Sequence, residues 1–226
     1  RPGGWTAHDT VARTALQERR HWSLKSELVS VSSSFWWILL AMASYGGLHS
    51  ALASLSAKAR ARHWFGAGAN RWFRLAYNLV AVLTLLPVLA LPVMLVDKPL
   101  YSIPSPWRWA AVAGQFLSLA VLVVGVIQTG LFSFLGLRQL LQPESASSRL
   151  VTTGLYRYIR HPLYTAGLVF IWLIPEMTCN LLALNIGMTV YLILGAKVEE
   201  RKLLAEFGEA YAAYRQQTPM LIPFIK

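Results

Sequence analysis

The stretch GLYRYIRHPLY, Gly154–Tyr164, is the segment from which the rest of the chain is best interpreted. It places tyrosine, arginine and histidine side chains directly before an apolar run, His161–Glu176. A second apolar run, Leu181–Val198, ends at the adjacent carboxylates Glu199 and Glu200. Charged side chains at the end of a membrane helix cost free energy, so they usually mark a functional site.

The two apolar runs predict a helical hairpin. Only Met177–Asn180 separates them, which leaves room for no more than a tight turn. The two open ends of the hairpin therefore return to the same side of the membrane. We expect His161 and Tyr164 at one end to meet Glu199 and Glu200 at the other, and we expect both carboxylates to lie at a water-exposed interface.

The composition is typical of a membrane protein. Of the 226 residues, 55% are hydrophobic and only 14% are charged, whereas a soluble domain has about 25% charged residues. The net charge of +11 favours membrane lipid as a partner and not nucleic acid, because the basic residues are dispersed among apolar spans. Cys179 is the single cysteine, so no internal disulfide, thiolate cluster or other metal site is predicted.

The apolar segments predict an all-α fold, a polytopic membrane helix bundle with about five transmembrane helices. The spans are Phe35–Leu55, Leu75–Val96, Trp107–Leu135 and the two arms of the C-terminal helical hairpin, and an amphipathic interfacial helix, Glu199–Gln217, follows. Residues 35–226 form one integral membrane domain in this interpretation, with 154–226 as its cofactor-binding part. Residues 1–34 are a polar lead-in that is either disordered or interfacial. The chain starts at Arg1, so we expect a processed or truncated N-terminus.

The charges of the loops predict the orientation in the membrane. Lys58–Arg74 contains five basic residues and no acidic one, and Gly136–Arg160 contains four arginines. Basic loops lie on the cytoplasmic side. We therefore expect the open end of the hairpin at the cytoplasmic face of a bacterial inner membrane. Five spans place the N-terminus outside, whereas the basic lead-in favours the inside, and both alternatives stay open.

The residue types at the open end of the hairpin suggest a cofactor site. His161-Pro162 suits the start of a helix, and the free amides expected beside it in the first turn would attract a carboxylate or phosphate. The paired glutamates offer acceptors for ribose hydroxyls or an ammonium group, and Tyr156 and Tyr164 offer aromatic faces for a sulfonium or an adenine. These features fit S-adenosylmethionine, and less economically a nicotinamide dinucleotide. The alternative is a lipid-facing collar of polar side chains capped by the Glu pair.

The motif Arg160–Tyr164 (RHPLY) also carries a family resemblance. Together with Glu199-Glu200, Phe207-Gly208, Tyr211, Tyr214 and Ile222–Phe224, it resembles the isoprenylcysteine carboxyl methyltransferase (ICMT) family, which is similar to phospholipid methyltransferases. The resemblance covers roughly residues 154–225. It implies an integral membrane S-adenosylmethionine-dependent methyltransferase with a small or lipophilic acceptor. Position by position, it implies cofactor contacts for His161, Pro162, Tyr164, Glu199 and Glu200, and for Tyr156 and Arg160.

The acceptor side departs from that resemblance. Prenylcysteine enzymes carry an arginine for the substrate carboxylate where this chain has Gly195, so a prenylcysteine carboxylate is not the expected acceptor. We assign Gly195 to substrate binding, together with His49 near the end of the first span, although His49 also suits helix packing. The sequence identifies no catalytic residue. The alternative function is an NADPH-dependent membrane reductase of the sterol-reductase type, and a membrane scaffold or solute carrier is a third, non-enzymatic interpretation.

Overall fold

The computed structural model describes residues 7–66, 68–130 and 150–223, and these are almost entirely helical. The helices are α1 (Ala7–Leu52), α2 (Leu55–Phe65), α3 (Ala69–Met94), α4 (Trp107–Thr129), α5 (Pro162–Trp172), α6 (Cys179–Phe207) and α7 (Glu209–Gln217). A 3-10 turn, Gly154–Arg157, precedes α5. Two short strands, β1 (Pro99–Ser102) and β2 (Glu176–Thr178), pair antiparallel.

Four segments are long and apolar enough to cross a membrane. They are Arg19–Leu52, Arg71–Met94, Trp107–Thr129 and Cys179–Phe207, and the shorter apolar helix α5 accompanies them. Large apolar side chains such as Leu83, Val93 and Phe116 are exposed on the outer surfaces of these helices, where lipid would cover them. The chain is a polytopic helical membrane protein, as the sequence predicted.

The buried core lies where α1, α3 and α6 pack together. It consists of Ile38, Met42, Tyr45, Val88, Ala183 and Leu184. A Cβ atom at Gly187 of α6 would lie only 2.8 Å from the Cβ of Met42, so a glycine at this crossing lets the two helices approach closely. A second close pair joins α4 to α5, because a Cβ at Gly125 would lie 2.6 Å from Leu163 Cδ2.

One end of the bundle is fixed by the β-pair and by Asn180. Strand β2 forms the turn of the hairpin and pairs with β1, which follows α3. The buried side-chain amide of Asn180 donates to the carbonyls of Pro92, Leu95 and Val96 at 3.2–3.3 Å. These carbonyls lie at the end of α3, where a helix lacks intrahelical donors. The start of α6 is thereby tied to the end of α3.

The two arms of the hairpin are unequal. The 11 residues of α5 make a helix about 16 Å long, shorter than a hydrocarbon core of about 30 Å, and a turn at Leu173 leads from it to β2. The 29 residues of α6 instead run through the Glu pair to Phe207. The predicted start of an amphipathic helix at Glu199 was therefore wrong, because the first helix-ending residue is Gly208, with φ +54°. Helix α7 begins only after it.

Some of the predicted segment boundaries fall inside a continuous helix, and others lie outside the described residues. Helix α1 runs without a break from Ala7 to Leu52, through the predicted limit between lead-in and first span. The division of the chain at residue 34 stays a prediction. The end of the predicted span Trp107–Leu135, most of the predicted loop Gly136–Arg160 and residue Phe224 lie outside the described residues.

Candidate functional site

The open ends of the hairpin meet as the sequence predicted. The hydroxyl of Tyr164 donates to Glu199 Oε2 at 2.8 Å, and Arg160 Nε lies 2.6 Å from Glu200 Oε1. His161 lies between the two carboxylates, with Nδ1 3.7 Å from Glu199 Oε2 and Nε2 3.5 Å from Glu200 Oε1. The start of α5 and the second half of α6 therefore form one polar cluster, which we call the hairpin site.

The two glutamates have different surroundings. The side chain of Glu199 is 47% exposed, whereas that of Glu200 is 10% exposed and pairs with an equally buried Arg160. Adjacent residues of a helix point about 100° apart, so one faces the opening and the other faces the protein. Our expectation that both carboxylates lie at a water-exposed interface was wrong for Glu200.

Arg160 also ties down the C-terminal segment, which we define as Thr218–Leu221. The Nη1 atom of Arg160 donates to the carbonyl of Arg215 at 3.0 Å and to the carbonyl of Thr218. The backbone N–H groups of Arg160 and His161 donate to the carbonyls of Pro219 and Met220 at 2.9 and 3.1 Å. These two amides are therefore bonded within the protein, whereas the expectation of free amides in the first turn of α5 stays a prediction.

His161 is buried, and its ring stacks on that of Tyr164 at 5.3 Å with an interplanar angle of 6°. Burial lowers the pKa of His161, and the nearby charges of Glu199 and Glu200 oppose this shift only in part, so the imidazole is neutral at pH 7. Its Nε2 is buried and has no hydrogen-bond partner within the described residues, and the same holds for the hydroxyl of Tyr211. Buried polar atoms normally have partners, so these two atoms are candidate contacts for a bound water or ligand.

The remaining tyrosines of the hairpin site are neutral. The hydroxyl of Tyr214 donates to the carbonyl of Tyr156 at 2.5 Å. Burial raises the pKa of Tyr156, Tyr211 and Tyr214 to about 12 in each case. These side chains therefore offer hydrogen bonds and ring surface, and they do not act as bases near pH 7.

His49 lies in a second cluster, the His49 cluster, formed with Tyr45, Tyr77 and Tyr191 from three helices. Both ring nitrogens of His49 are bonded to hydroxyls: Nδ1 lies 2.8 Å from that of Tyr191, and Nε2 is bonded to that of Tyr77, which also lies 3.2 Å from Nδ1. The ring of Tyr45 packs 5.7 Å from the imidazole. Sequence reasoning missed these tyrosines, although Tyr45 stands one helical turn before His49 and such polar rings are unusual within apolar spans.

Gly195 lies between the two clusters along α6. It follows Tyr191 by four residues and precedes Glu199 by four, so all three share one face of the helix. A Cβ at Gly195 would have no heavy atom within 4 Å among the described residues. Tyr164 of the hairpin site also lies within electrostatic range of Tyr77 and Tyr191 of the His49 cluster. An open space at Gly195 thus adjoins both clusters, although the binding roles of its surrounding residues stay predictions.

Metal ligands are not clustered in the described residues. No group of three or more His, Cys, Asp or Glu side chains there could hold a metal ion. The chemistry that the described part of the chain offers is that of carboxylates, imidazoles and phenols.

The relatives of this chain are bacterial and eukaryotic methyltransferases by name. Methanethiol S-methyltransferase of Crocosphaera subtropica is 34% identical over 130 residues, 53% of this chain and 51% of the relative. The protein of the same name from Pseudomonas sp. strain GM41 is 32% identical over 149 residues, 63% of this chain and 55% of the relative. The chain thus spans about half the length of these relatives. Human protein-S-isoprenylcysteine O-methyltransferase is 35% identical over 88 residues, 37% of this chain and 30% of the relative.

These similarities confirm the resemblance to ICMT-like membrane methyltransferases that the RHPLY motif predicted. The family described as "Protein of unknown function (DUF1295)" matches residues 14–218, which is most of the chain. The chain therefore belongs to the DUF1295 family.

Proposed function

We propose that this chain is an integral membrane methyltransferase that transfers the methyl group of S-adenosylmethionine to a small thiol such as methanethiol. The observation that carries the proposal is the hairpin site, where the half-exposed carboxylate of Glu199 lies 3.7 Å from His161 Nδ1 and the buried Nε2 of the same ring makes no hydrogen bond within the described residues. The relatives named methanethiol S-methyltransferase support the choice of acceptor.

The hairpin site fits the donor and acceptor groups of S-adenosylmethionine. Glu199 would accept hydrogen bonds from its ammonium group or ribose hydroxyls. His161 Nε2 and the Tyr211 hydroxyl would satisfy their hydrogen-bonding capacity on its polar atoms. The stacked rings of His161 and Tyr164, together with Tyr156, would provide ring surface for its adenine or its sulfonium.

Arg160, Pro162 and Glu200 support this site in a different way. Arg160 and Glu200 form a buried ion pair that joins the start of α5 to α6, and Pro162 opens α5 as its first residue. Their part in cofactor binding is to hold Glu199 and His161 in place. This interpretation gives the paired glutamates separate tasks, one toward the ligand and one toward the protein.

The bound cofactor would supply a methyl group already activated by a sulfonium, so the protein needs only to orient the acceptor and exclude water. The acceptor would occupy the open space at Gly195. Because this position lacks the arginine expected for a carboxylate substrate, the space suits an uncharged, small acceptor. A thiol is such an acceptor, and its sulfur attacks once its proton has been removed.

The orientation we propose places the hairpin site at the cytoplasmic face of a bacterial inner membrane. Lys202 Nζ donates to the carbonyl of Ala53 at 3.2 Å, so the junction of α1 with the basic helix α2 lies at the same end as the Glu pair. Cys179 and Glu200 are 21 residues apart on α6, about 32 Å along a helix axis, which matches a hydrocarbon core of about 30 Å. The β-pair is therefore assigned to the opposite face.

Calorimetry in lipid nanodiscs tests the proposal. We expect S-adenosylhomocysteine to bind the purified chain, and we expect dimethyl sulfide to form from methanethiol and S-adenosylmethionine in a gas-chromatographic assay. Glu199→Gln should weaken the binding of S-adenosylhomocysteine. Binding of NADPH without binding of S-adenosylhomocysteine would contradict the proposal and favour the reductase.

A further inference from the structure

The hydrogen bonds of His49 form a relay that cofactor binding does not require. Its Nδ1 is bonded to the hydroxyl of Tyr191 and its Nε2 to that of Tyr77. A neutral imidazole has one N–H donor and one acceptor nitrogen. One tyrosine therefore donates to His49, and the other accepts from it.

Tyr191 is the member of this relay that lies on the same helix as the open space. Tyr191 and Gly195 are one helical turn apart on the same face of α6, and the position at Gly195 is open. Tyr164, which is bonded to Glu199 of the hairpin site, lies within electrostatic range of Tyr191. A small molecule at Gly195 would thus lie between the His49 cluster and the proposed methyl donor.

We propose that the His49 cluster accepts the proton of the thiol, with the hydroxyl of Tyr191 as the group that touches the acceptor at Gly195. This inference rests on the proposed function, which names the thiol but no base. Tyr191 is the catalytic residue of the step, and His49 is a positioning residue that acts through it.

In the proposed proton transfer, each bond that breaks is matched by a bond that forms. Tyr191 donates its hydroxyl hydrogen to His49 Nδ1, and His49 Nε2–H donates to the oxygen of Tyr77. The S–H bond of the acceptor breaks as a new O–H bond forms on Tyr191, and the former hydroxyl hydrogen of Tyr191 passes to Nδ1. The sulfur then forms a bond to the methyl group, and the electron pair of the broken C–S bond returns to the sulfonium sulfur. The imidazolium later releases its proton to water.

The surroundings of His49 contain other titratable and charged groups. Both hydroxyls bonded to its imidazole can stabilise the imidazolium by accepting its two N–H groups. The further groups that interact with this cluster are Tyr45 from α1, Arg74 from α3, Tyr164 from α5 and Lys202 from α6. The pH dependence of turnover in the tests below therefore belongs to the whole cluster.

The simplest structural role for the His49 cluster would be to hold α1, α3 and α6 together. The two roles differ in how turnover depends on the acidity of the acceptor. Loss of a proton relay slows a protonated thiol and spares an acceptor that is already an anion. Loss of a structural contact slows both acceptors alike.

The test compares methanethiol with hydrosulfide, a small acceptor that is largely an anion at about pH 8. The variants are His49→Gln, Tyr191→Phe and the matched control Tyr101→Phe, which removes the hydroxyl of an exposed tyrosine on β1, outside both clusters. We expect His49→Gln and Tyr191→Phe to lower kcat/KM for methanethiol by about 100-fold or more and for hydrosulfide less than about fivefold, while Tyr101→Phe stays near wild type. Calorimetric affinity for S-adenosylhomocysteine should stay within about twofold in all three variants.

A pH profile gives a second measurement. In the wild type, kcat/KM for methanethiol should level off once the His49 cluster is deprotonated. In His49→Gln it should keep rising about tenfold per pH unit, because only the free thiolate reacts. Equal losses with both acceptors, or no loss with methanethiol, would overturn the relay while leaving the proposed function intact. A wild-type chain that binds no S-adenosylhomocysteine and transfers no methyl group would overturn both.

Discussion

The same replacement, glutamate by glutamine, tests a different role at each of the adjacent residues Glu199 and Glu200. Glu200 is buried against Arg160 Nε at 2.6 Å, whereas Glu199 is half exposed and accepts a hydrogen bond from Tyr164. Replacing either residue with Gln removes the charge and keeps the shape and one acceptor oxygen. We predict that Glu200→Gln lowers the stability of the protein and that Glu199→Gln lowers its affinity for the cofactor.

The magnitudes follow from burial and from the partners that remain. Removing one member of a buried ion pair costs about 3–5 kcal/mol. In Glu200→Gln, Arg160 keeps the carbonyls of Arg215 and Thr218 as acceptors, so we expect a loss of about 3 kcal/mol, at the lower end of that range. In Glu199→Gln, the exposed position limits the loss of stability to less than about 1 kcal/mol. Its cofactor affinity should fall by about 1.5–3 kcal/mol, because a charged acceptor is replaced by a neutral one.

The two quantities are measured separately. The free energy of unfolding is obtained from reversible denaturant titrations in mixed micelles without ligand, followed by circular dichroism. The affinity is obtained by calorimetric titration of S-adenosylhomocysteine into protein in nanodiscs. If both variants lose the same stability, the difference in burial has no energetic meaning. If Glu200→Gln loses affinity and keeps its stability, Glu200 and not Glu199 is the carboxylate that binds the ligand.

Three other perturbations address pH, the acceptor space and the membrane orientation. Burial lowers the pKa of His161, so the unfolded state binds more protons and the free energy of unfolding decreases as pH falls below about 6.5. In denaturant titrations between pH 7 and 5, His161→Asn should make the free energy of unfolding depend less on pH. An unchanged pH dependence would show that another group is responsible. Gly195→Arg should lower methanethiol turnover and spare S-adenosylhomocysteine binding, whereas Gly195→Ala, the matched control, should do neither; wild-type turnover in the Arg variant would place the acceptor elsewhere. In a Cys179→Ala background, an impermeant maleimide should label Ser105→Cys from outside intact cells and Ser56→Cys only after permeabilisation, and labelling of both from one side would refute the proposed orientation.

The hairpin and the membrane class could be predicted because they depend on simple sequence features. The length of an apolar run and the positions of charges at its ends are visible without a structure. The meeting of His161 and Tyr164 with the Glu pair followed from a short turn and two arms. A bonded Tyr164–Glu199 pair in the structure is the direct consequence.

Other features depended on contacts that a sequence does not display. Strands of three and four residues carry no measurable periodicity, so the pairing of β1 with β2 was not predicted. The end of α6 was placed too early because residues 199–207 continue an ordinary helical pattern up to Gly208. The burial of Glu200 is caused by Arg160 and by the C-terminal segment bonded to it, and neither distinguishes Glu200 from Glu199 in the sequence. The tyrosines around His49 come from three helices.

The position of each cluster along α6 shows how one helix could serve both halves of the proposed reaction. Asn180 fixes its start to α3, Tyr191 contacts His49, and Glu200 fixes its far part to α5 through Arg160. Tyr191 and Glu199 are eight residues apart, about 12 Å along the axis, and Gly195 lies on the face between them. A substitution at Gly195 should therefore change the proposed acceptor space while Glu199 and His161 keep their arrangement.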